Sequence, residues 1–386
     1  MNGPGFVRKL FVLTGKRGGF GAMKPMLSLM RDRPDIELQL AVTDQHMSDR
    51  FGRTVQEVER EFRIAATVDM EQRDDRPDSR ARAVGTCLQR MTDVLCALAP
   101  DICVLYGDRG EVLATATAAT ILGIPIAHIQ GGDVSGSLDE QMRHAVTKLA
   151  HIHFPSTDAS AERIRRMGEE DWRVHVVGDN HIDMIVAGEY APPETVAREL
   201  DLDLGRPVAV VLQHSETTAP EAAHDQMVET LVAVRDVGVQ AVVVHPCSDQ
   251  GYEGILRAIR EIALPPQFRV RVNLEAPLFW GLLAVGAVMV GNSSAGLIET
   301  PVFRLPAIDI GRRQEGRLRA ENVIQVGHDR ATIGRAIRRA LGDEIFRAAV
   351  ARCRQPFGDG RAGERIVDVL ARVPLDDRLK VKRMTY

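Results

Sequence analysis

Residues 123–157 read GIPIAHIQGGDVSGSLDEQMRHAVTKLAHIHFPST, and this stretch decides how the rest of the chain is read. Its apolar opening, Ile124 to Ile129, has β-branched content, a proline near its start and a glycine pair behind it, which is the pattern of a buried strand running out of a sheet. Gly131, Gly132 and Gly136 then allow backbone to approach a ligand closely. Ser137 and Glu140 form an S-x-x-E capping box, with Leu138, Met142, Val146 and Leu149 at helical spacing behind it. A helix is therefore predicted from near Leu138 to near Ala150. Asp139 falls in its first turn, at the positive end of the helix dipole, and Arg143 lies one turn on along the same face. Two readings stay open: an aspartate that caps its own helix and pairs with the arginine, or a charged helix start that faces a ligand.

Upstream, Asp101 to Tyr106 (DICVLY) is a second apolar run, ending in Gly107, Asp108, Arg109, Gly110 and Glu111 before the helix-like VLATATAATILG. In an open parallel sheet, ligands bind outside the carboxyl ends of the strands. Asp108 and the 130–139 loop both belong there, and two neighbouring strand ends that each carry an acid resemble an active-site rim. The first strand, Lys9 to Thr14, runs into Gly15, Lys16, Arg17, Gly18, Gly19, Phe20 and Gly21, a glycine-rich turn where α/β folds hold phosphate. It matches neither G-x-G-x-x-G nor the P-loop order. Arg17 reads either as a diphosphate partner or as a solvated loop residue.

Strands at Glu37 to Val42, His151 to Pro155 and Arg173 to Val177 alternate with helices near Arg82 to Leu98 and from Ala159, with a charged loop at Glu71 to Ser79. This repeated βα winding predicts a parallel sheet with right-handed crossovers. YAPPE (Tyr190 to Glu194) reads as a connector, and a second alternation follows through strands at Pro207 to Leu212, Val239 to His245, Phe268 to Leu274, Ala287 to Val290 and Pro306 to Ile310. The expectation is an α/β chain of two Rossmann-like domains with a ligand cleft between them.

Three features of the second half have polar chemistry. His214 follows the strand VAVVLQ, where it can titrate or donate to phosphate, or serve as a cap or core residue. Gly291 to Gly296 (GNSSAG) presents backbone N–H groups, Ser293 and Ser294 at a helix start, an anion cradle or an ordinary cap, with Glu299 behind it. IGRRQEGR puts Arg312, Arg313 and Arg317 after another strand end, able to pair with phosphate or with Glu299. His151 and His153 alternate to one strand face with no further ligand type at matching spacing, and they read as structural, as do His245 and Cys247.

Composition bounds the rest. A chain of 386 residues is long enough for two domains. With 45% apolar residues and a net charge of −4, nucleic-acid binding through bulk charge is excluded. No apolar run reaches the length of about 18 residues that a membrane span needs, and the apolar stretch near the amino terminus is too short for a signal peptide. Five cysteines (Cys87, Cys96, Cys103, Cys247, Cys353), with no C-x-x-C, point to reduced thiols in a cytoplasmic protein.

The segments GDRGE (Gly107 to Glu111), HIQGGDVSGSLDEQMRHAVTKLAHIHF (His128 to Phe154), LQHSETT (Leu212 to Thr218), GNSSAG, IGRRQEGR and GDGRAGERI (Gly358 to Ile366) resemble, in order, the UDP-N-acetylglucosamine 2-epimerase family and its hydrolysing branch of sialic and legionaminic acid synthesis. That resemblance implies the two-Rossmann glycosyltransferase-B architecture: residues 1–188 on the sugar and catalytic side, 189–362 on the nucleotide side, and a helical segment, 363–386, packing back on the first domain. It also implies metal-free chemistry without a cofactor. A carboxylate removes the C2 proton while the nucleoside diphosphate leaves C1, and water then adds to give the free 2-epimeric sugar. By position, Asp108 and Asp139 match acidic residues of the family's catalytic site, Gln130 stands at the place of a catalytic glutamate, and His214 matches its histidine. Arg17, Ser293, Ser294, Glu299 and Arg313 match nucleotide-binding positions, with Glu299 on the ribose and Phe279 near the base. Arg109 and Arg143 join the substrate-binding candidates. The partners expected are a nucleotide-sugar substrate and further copies of the chain in a dimer or tetramer, with no nucleic acid and no membrane.

The chain departs from the family pattern at Gln130, which cannot act as a general base, at Tyr106 in place of histidine, at Gly110 in place of an aromatic residue, and at Gly19 and Gly21 in place of aspartate and serine. If Gln130 replaces a base, Asp108 or Asp139 must carry the proton transfer. The rival functions are a sugar-nucleotide epimerase that releases no free sugar, a glycosyltransferase of the same architecture, and a sugar-nucleotide-binding protein with impaired catalysis.

Overall fold

The short apolar runs assemble into two six-stranded parallel sheets. The computed structural model describes residues 7–74, 76–135 and 138–386. One unit comprises the chain up to Asp133 together with Asp139–Asp183 and Phe357–Tyr386; the other comprises Met184–Pro356 with Val134–Leu138.

In the first unit the strands are β1 (Arg8–Thr14), β2 (Ile36–Thr43), β3 (Ile64–Val68), β4 (Ile102–Tyr106), β5 (Ile126–Ile129) and β6 (Ile152–Phe154). Their order is β3-β2-β1-β4-β5-β6. Alternate residues face opposite sides of a strand, and here both sides are covered by helices. Leu10, Val12, Leu40 and Val42 pack on Met23, Met26 and Met30 of the helix Arg17–Arg31 and on Ile366 and Leu370 of the helix Ala362–Arg372. Phe11, Leu13, Cys103 and Leu105 pack the other way, with Cys87, Met91 and Leu95 of the helix Pro77–Leu98 and with Ala116 and Ala119 of the helix Gly110–Ile121.

The second unit repeats this plan. Its strands are β7 (Val208–Leu212), β8 (Gln240–Val244), β9 (Phe268–Arg271), β10 (Val288–Gly291), β11 (Ala307–Ile310) and β12 (Val323–Val326). Read outward from β7, the order β12-β11-β10-β7-β8-β9 is the same Rossmann order as in the first sheet. The winding across the sheet changes sense between β1 and β4 in one sheet and between β7 and β10 in the other. The loops at these strand ends part there and leave a crevice at the carboxyl edge.

Several local expectations are corrected. Arg173–Val177 is not a strand: Asp171–Arg173 is a single 3-10 turn, and only an isolated bridge joins Val174 to His153. Buried Arg173 instead donates to the carbonyls of Arg378 and Leu379, a demand no strand pattern announces. The edge strands β3 and β12 escape sequence reading because both are short and partly exposed. The glycine-rich turn after β1 shrinks to Gly15 and Lys16, since the helix already begins at Arg17 and takes Gly18, Gly19 and Gly21 into its first turns. The helix predicted from Leu138 runs Asp139–Leu149, and its expected cap, Ser137, lies outside the described residues. Among the described residues no helix is long and apolar enough to cross a membrane.

One buried carboxylate ties the chain's last residues to the first unit. Glu169, 1% exposed, accepts from Lys148 Nζ (2.6 Å), Lys382 Nζ (2.8 Å) and His153 Nε2 (3.2 Å). Burial opposes its charge, but these donors prevail and hold its carboxyl down to about 2, from an ordinary 4.5. A carboxyl depressed on folding contributes stability above its unfolded pKa, and that contribution is lost as pH falls through the folded one. Glu169→Gln should therefore lower stability at pH 7 by on the order of 3 kcal/mol. Thermal melts should show the gap to the parent protein closing as pH drops from 4.5 toward 2. A gap of constant size across that range would contradict the assignment.

Candidate active site

At the carboxyl edge of the first sheet, Asp108 follows β4 and forms an ion pair with Arg143 of the helix Asp139–Leu149. Arg143 is 2% exposed and also donates to the carbonyl of Asp133 (3.1 Å), so the loop after β5 and the loop after β4 share one guanidinium. Asp108 is thus a partly buried carboxylate with its partner charge supplied from the neighbouring loop. Asp139 opens the same helix and is half-buried.

Two arginines have partners within the protein. Arg17 Nε donates to Glu57 Oε2 (2.7 Å). Arg109 is buried between Asp44, which its Nη2 contacts at 3.1 Å, and Glu111, which its Nε contacts at 3.2 Å. Burial pushes the Glu111 carboxyl upward, and the Arg109 charge opposes that push. Gly15 packs over this carboxylate, and a Cβ there would force the Glu111 Oε1 atom to shift.

Gln130 follows β5 with a left-handed backbone (φ 63°), a conformation a non-glycine residue adopts only when its surroundings impose it. Its Nε2 donates to Asp179 Oδ2 at 2.6 Å. The other oxygen of Asp179 lies 2.8 Å from His181 Nδ1 and accepts the His181 backbone N–H at 3.0 Å. The Tyr106 hydroxyl stands 2.9 Å from the same Nδ1. Ser156 Oγ completes the shell, donating to Asp179 Oδ2 at 3.1 Å. Asp179 and His181 were not singled out by the sequence reading. The available signal was D-N-H directly after a glycine, in VVGDNHID.

In the second unit, His214 follows β7 and Asn292 follows β10, and the two bridge the divergence of those strands. The His214 N–H donates to Asn292 Oδ1 (2.7 Å), and Asn292 Nδ2 donates back to the His214 carbonyl (2.9 Å). The Cys247 backbone N–H, which can only donate, points at His214 Nδ1 (3.1 Å), so the neutral imidazole carries its proton on Nε2. Arg313 donates to Asp249 Oδ2 (3.1 Å) and to the Asn292 carbonyl (3.4 Å). Gln314 Nε2 reaches the same carbonyl at 2.8 Å. Arg312 instead pairs with Glu315, and Arg317 donates to the Val134 carbonyl. Ser293 Oγ accepts the Ala295 N–H at 3.4 Å, and the helix that follows is the single turn Ala295–Ile298, so little macrodipole stands behind the cradle. Glu299 is buried and accepts from Trp280 Nε1 (2.9 Å), next to half-buried Phe279.

Cys247 contacts His214: its Sγ lies 3.1 Å from His214 Nδ1 and donates to Asp249 Oδ2 at 3.1 Å. Among the described residues, His214, Cys247 and Asp249 form a group of metal-capable side chains whose ligand atoms lie within 4.8 Å of one another. Arg313 already shares that carboxylate and the Cys247 N–H already uses the Nδ1 lone pair, an arrangement suited to receiving an anion. His153 contacts Glu169, and His151 Nδ1 accepts from the Ile126 N–H (3.1 Å).

Comparison with known proteins places these sites in context. A family model described as UDP-N-acetylglucosamine 2-epimerase matches residues 29–371. A Legionella pneumophila protein named UDP-N,N'-diacetylbacillosamine 2-epimerase (hydrolyzing) is 32% identical over 98% of this chain and 100% of its own length. A Neisseria meningitidis UDP-N-acetylglucosamine 2-epimerase is 29% identical over 89% of this chain and 90% of its own. In three dimensions, a crystal structure of UDP-GlcNAc 2-epimerase from Neisseria meningitidis bound to UDP-GlcNAc superposes with a TM-score of 0.78 at 17% identity, over 94% of this chain and 99% of that one.

The close approach of the β7 and β10 ends gives a structural test. Gly291 has φ 142°, and a Cβ on it would lie 2.0 Å from the Leu212 carbonyl oxygen. Gly291→Ala should cost more than about 2 kcal/mol and loosen the His214–Asn292 clamp. Thermal unfolding and UDP titration measure both effects, and a variant matching its parent in both would refute the constraint.

Proposed function

The chain belongs to the UDP-N-acetylglucosamine 2-epimerase family, and from that premise we propose that it is a hydrolysing 2-epimerase of a nucleoside diphosphate 2-acetamido sugar. The substrate class is UDP-N-acetylglucosamine or a UDP- or GDP-linked 2,4-diacetamido-6-deoxy relative of it. The observation that carries the reading is the end-to-end likeness to a relative named for that reaction, at 32% identity.

In the first step a base takes the proton from C2. The C–H electron pair becomes the C1–C2 double bond, and the C1–O pair departs with the diphosphate, leaving a 2-acetamidoglucal. In the second step water adds its oxygen at C1 and a proton returns to C2 on the opposite face, giving the free 2-epimeric sugar. Asp108, paired with Arg143, serves as one proton-transfer group, with Asp139 at the start of the helix that carries Arg143. In the second unit His214 donates through Nε2 to the departing diphosphate, Arg313 with Ser293 and Ser294 adds positive charge and hydroxyls, and Glu299 takes the ribose. In the first unit, Arg17 at the start of its helix is a further candidate for a phosphate contact. On this reading the enzyme works in the cytoplasm as a homo-oligomer, and its free sugar supplies sialic- or legionaminic-type acid synthesis.

Pure protein incubated with UDP-N-acetylglucosamine and with the 4-acetamido-6-deoxy analogue, each as UDP and GDP forms, should release nucleotide and a free 2-epimer from at least one. Transfer only to an added acceptor would indicate a glycosyltransferase. Binding without turnover would indicate an impaired enzyme. Asp108→Asn and His214→Ala should each lower nucleotide release by at least about 100-fold with the fold intact. Near-parental rates would remove both residues from the mechanism.

A further inference from the structure

Inversion at C2 needs a proton removed on one face and another delivered on the opposite face, so two groups must exchange protons with the sugar. Gln130 can be neither, because its amide takes up no proton near neutral pH. We propose that His181, oriented by Asp179, is the second proton-transfer group, and that Gln130 is a positioning residue for this dyad. The proposal rests on the reading of the protein as a hydrolysing epimerase.

The geometry supports each assignment. Asp179 is 1% exposed, and a buried carboxylate needs donors on both oxygens. It has them: Gln130 Nε2 and Ser156 Oγ on Oδ2, the His181 N–H and Nδ1 on Oδ1. Burial opposes the Asp179 charge, but His181 and these hydrogen bonds hold its carboxyl below the ordinary range. An ionised carboxylate on Nδ1 fixes the imidazole as the tautomer with the proton on Nδ1 and leaves Nε2 as its basic nitrogen. His181 is 17% exposed, enough for a small reactant to reach its ring. Tyr106 ends β4 and Gln130 follows β5, the two strands whose carboxyl ends carry Asp108 and the 130–139 loop, so the dyad lies on the active edge of the sheet.

The left-handed backbone at Gln130 is explained by the same network. With its N–H donated to the Phe154 carbonyl (3.0 Å), the residue turns at φ 63° and delivers its amide to Asp179. A glutamate there would place a second carboxylate 2.6 Å from the first, which cannot stay ionised beside it. The Tyr106 ring lies beside Gly19, where a Cβ would stand at an ordinary contact distance of 3.7 Å. Tyr106 and Gln130 thus both reach the Asp179–His181 pair.

In chemical terms, the Asp108 carboxylate takes the C2 proton on one face as the diphosphate leaves, and His181 Nε2 accepts a proton from the water whose oxygen adds at C1 and delivers it to C2 on the opposite face. The transient imidazolium is stabilised by Asp179, and the Asp108 carboxyl then releases its proton to solvent, so both groups end as they began.

The test uses the full-length protein and a substrate the parent turns over. If the parent releases nucleotide from none of the candidate sugars, the proposed function fails, not the dyad. With an active parent, His181→Ala should lose at least about 100-fold in kcat while its UDP dissociation constant stays within about threefold, and added imidazole should recover at least about tenfold of the rate. Asp179→Asn should lose a comparable amount through the wrong tautomer. Gln130→Glu, folded by its melting profile, should be slower than the parent. The proposal is overturned by a His181→Ala rate near parental, by a lost rate that imidazole does not raise with UDP binding intact, or by a gain of rate in Gln130→Glu.

Discussion

In a parallel sheet every strand ends on the same edge, and where the winding reverses, the loops leaving two neighbouring strands must part. That constraint organises both units. It puts Thr14 and Tyr106, the last residues of β1 and β4, next to a crevice, and does the same for Leu212 and Gly291 at the ends of β7 and β10. The apolar cores on the two faces of each sheet fix the strand order, and the polar chemistry takes the positions left over.

Charge placed at such an edge is only partly hydrated, so it must be answered within the fold. Four local solutions recur: Asp108 with Arg143, Arg109 between Asp44 and Glu111, Arg313 on Asp249, and Asp179 between Gln130 and His181. Each joins residues from different loops, so the contacts that answer a charge also set its position. The pairing of Arg143 with Asp108 shows why the helix-start reading was incomplete. Its partner there comes from a different strand end, 35 residues away.

The two-sheet α/β class was legible because strand and helix periodicities alternate through the whole chain, and the loops after β4, β5, β7 and β10 could be named because glycines and polar residues interrupt apolar runs there. Edge strands β3 and β12 were not legible, since IAATV and VIQV are runs of only five and four residues. His181 was missed for another reason. It sits in a 3-10 turn that no periodicity marks, and its importance comes from Asp179, whose burial no local pattern encodes. The Cys247–His214 contact joins residues 33 apart at two strand ends, and only the strand order brings them together. Glu111 closes the GDRGE segment, and no local pattern encodes its burial.

The central claim is that this chain splits a nucleotide sugar by eliminating across C1 and C2 and then hydrates the product with inversion. Mass spectrometry and NMR of the sugar formed in deuterium oxide, and separately in oxygen-18 water, test that claim most directly. The account predicts a free 2-epimer with one solvent deuterium at C2 and the solvent oxygen at C1. A free sugar that keeps its original C2 hydrogen, or a solvent oxygen found in the nucleotide phosphate and not in the sugar, would contradict it.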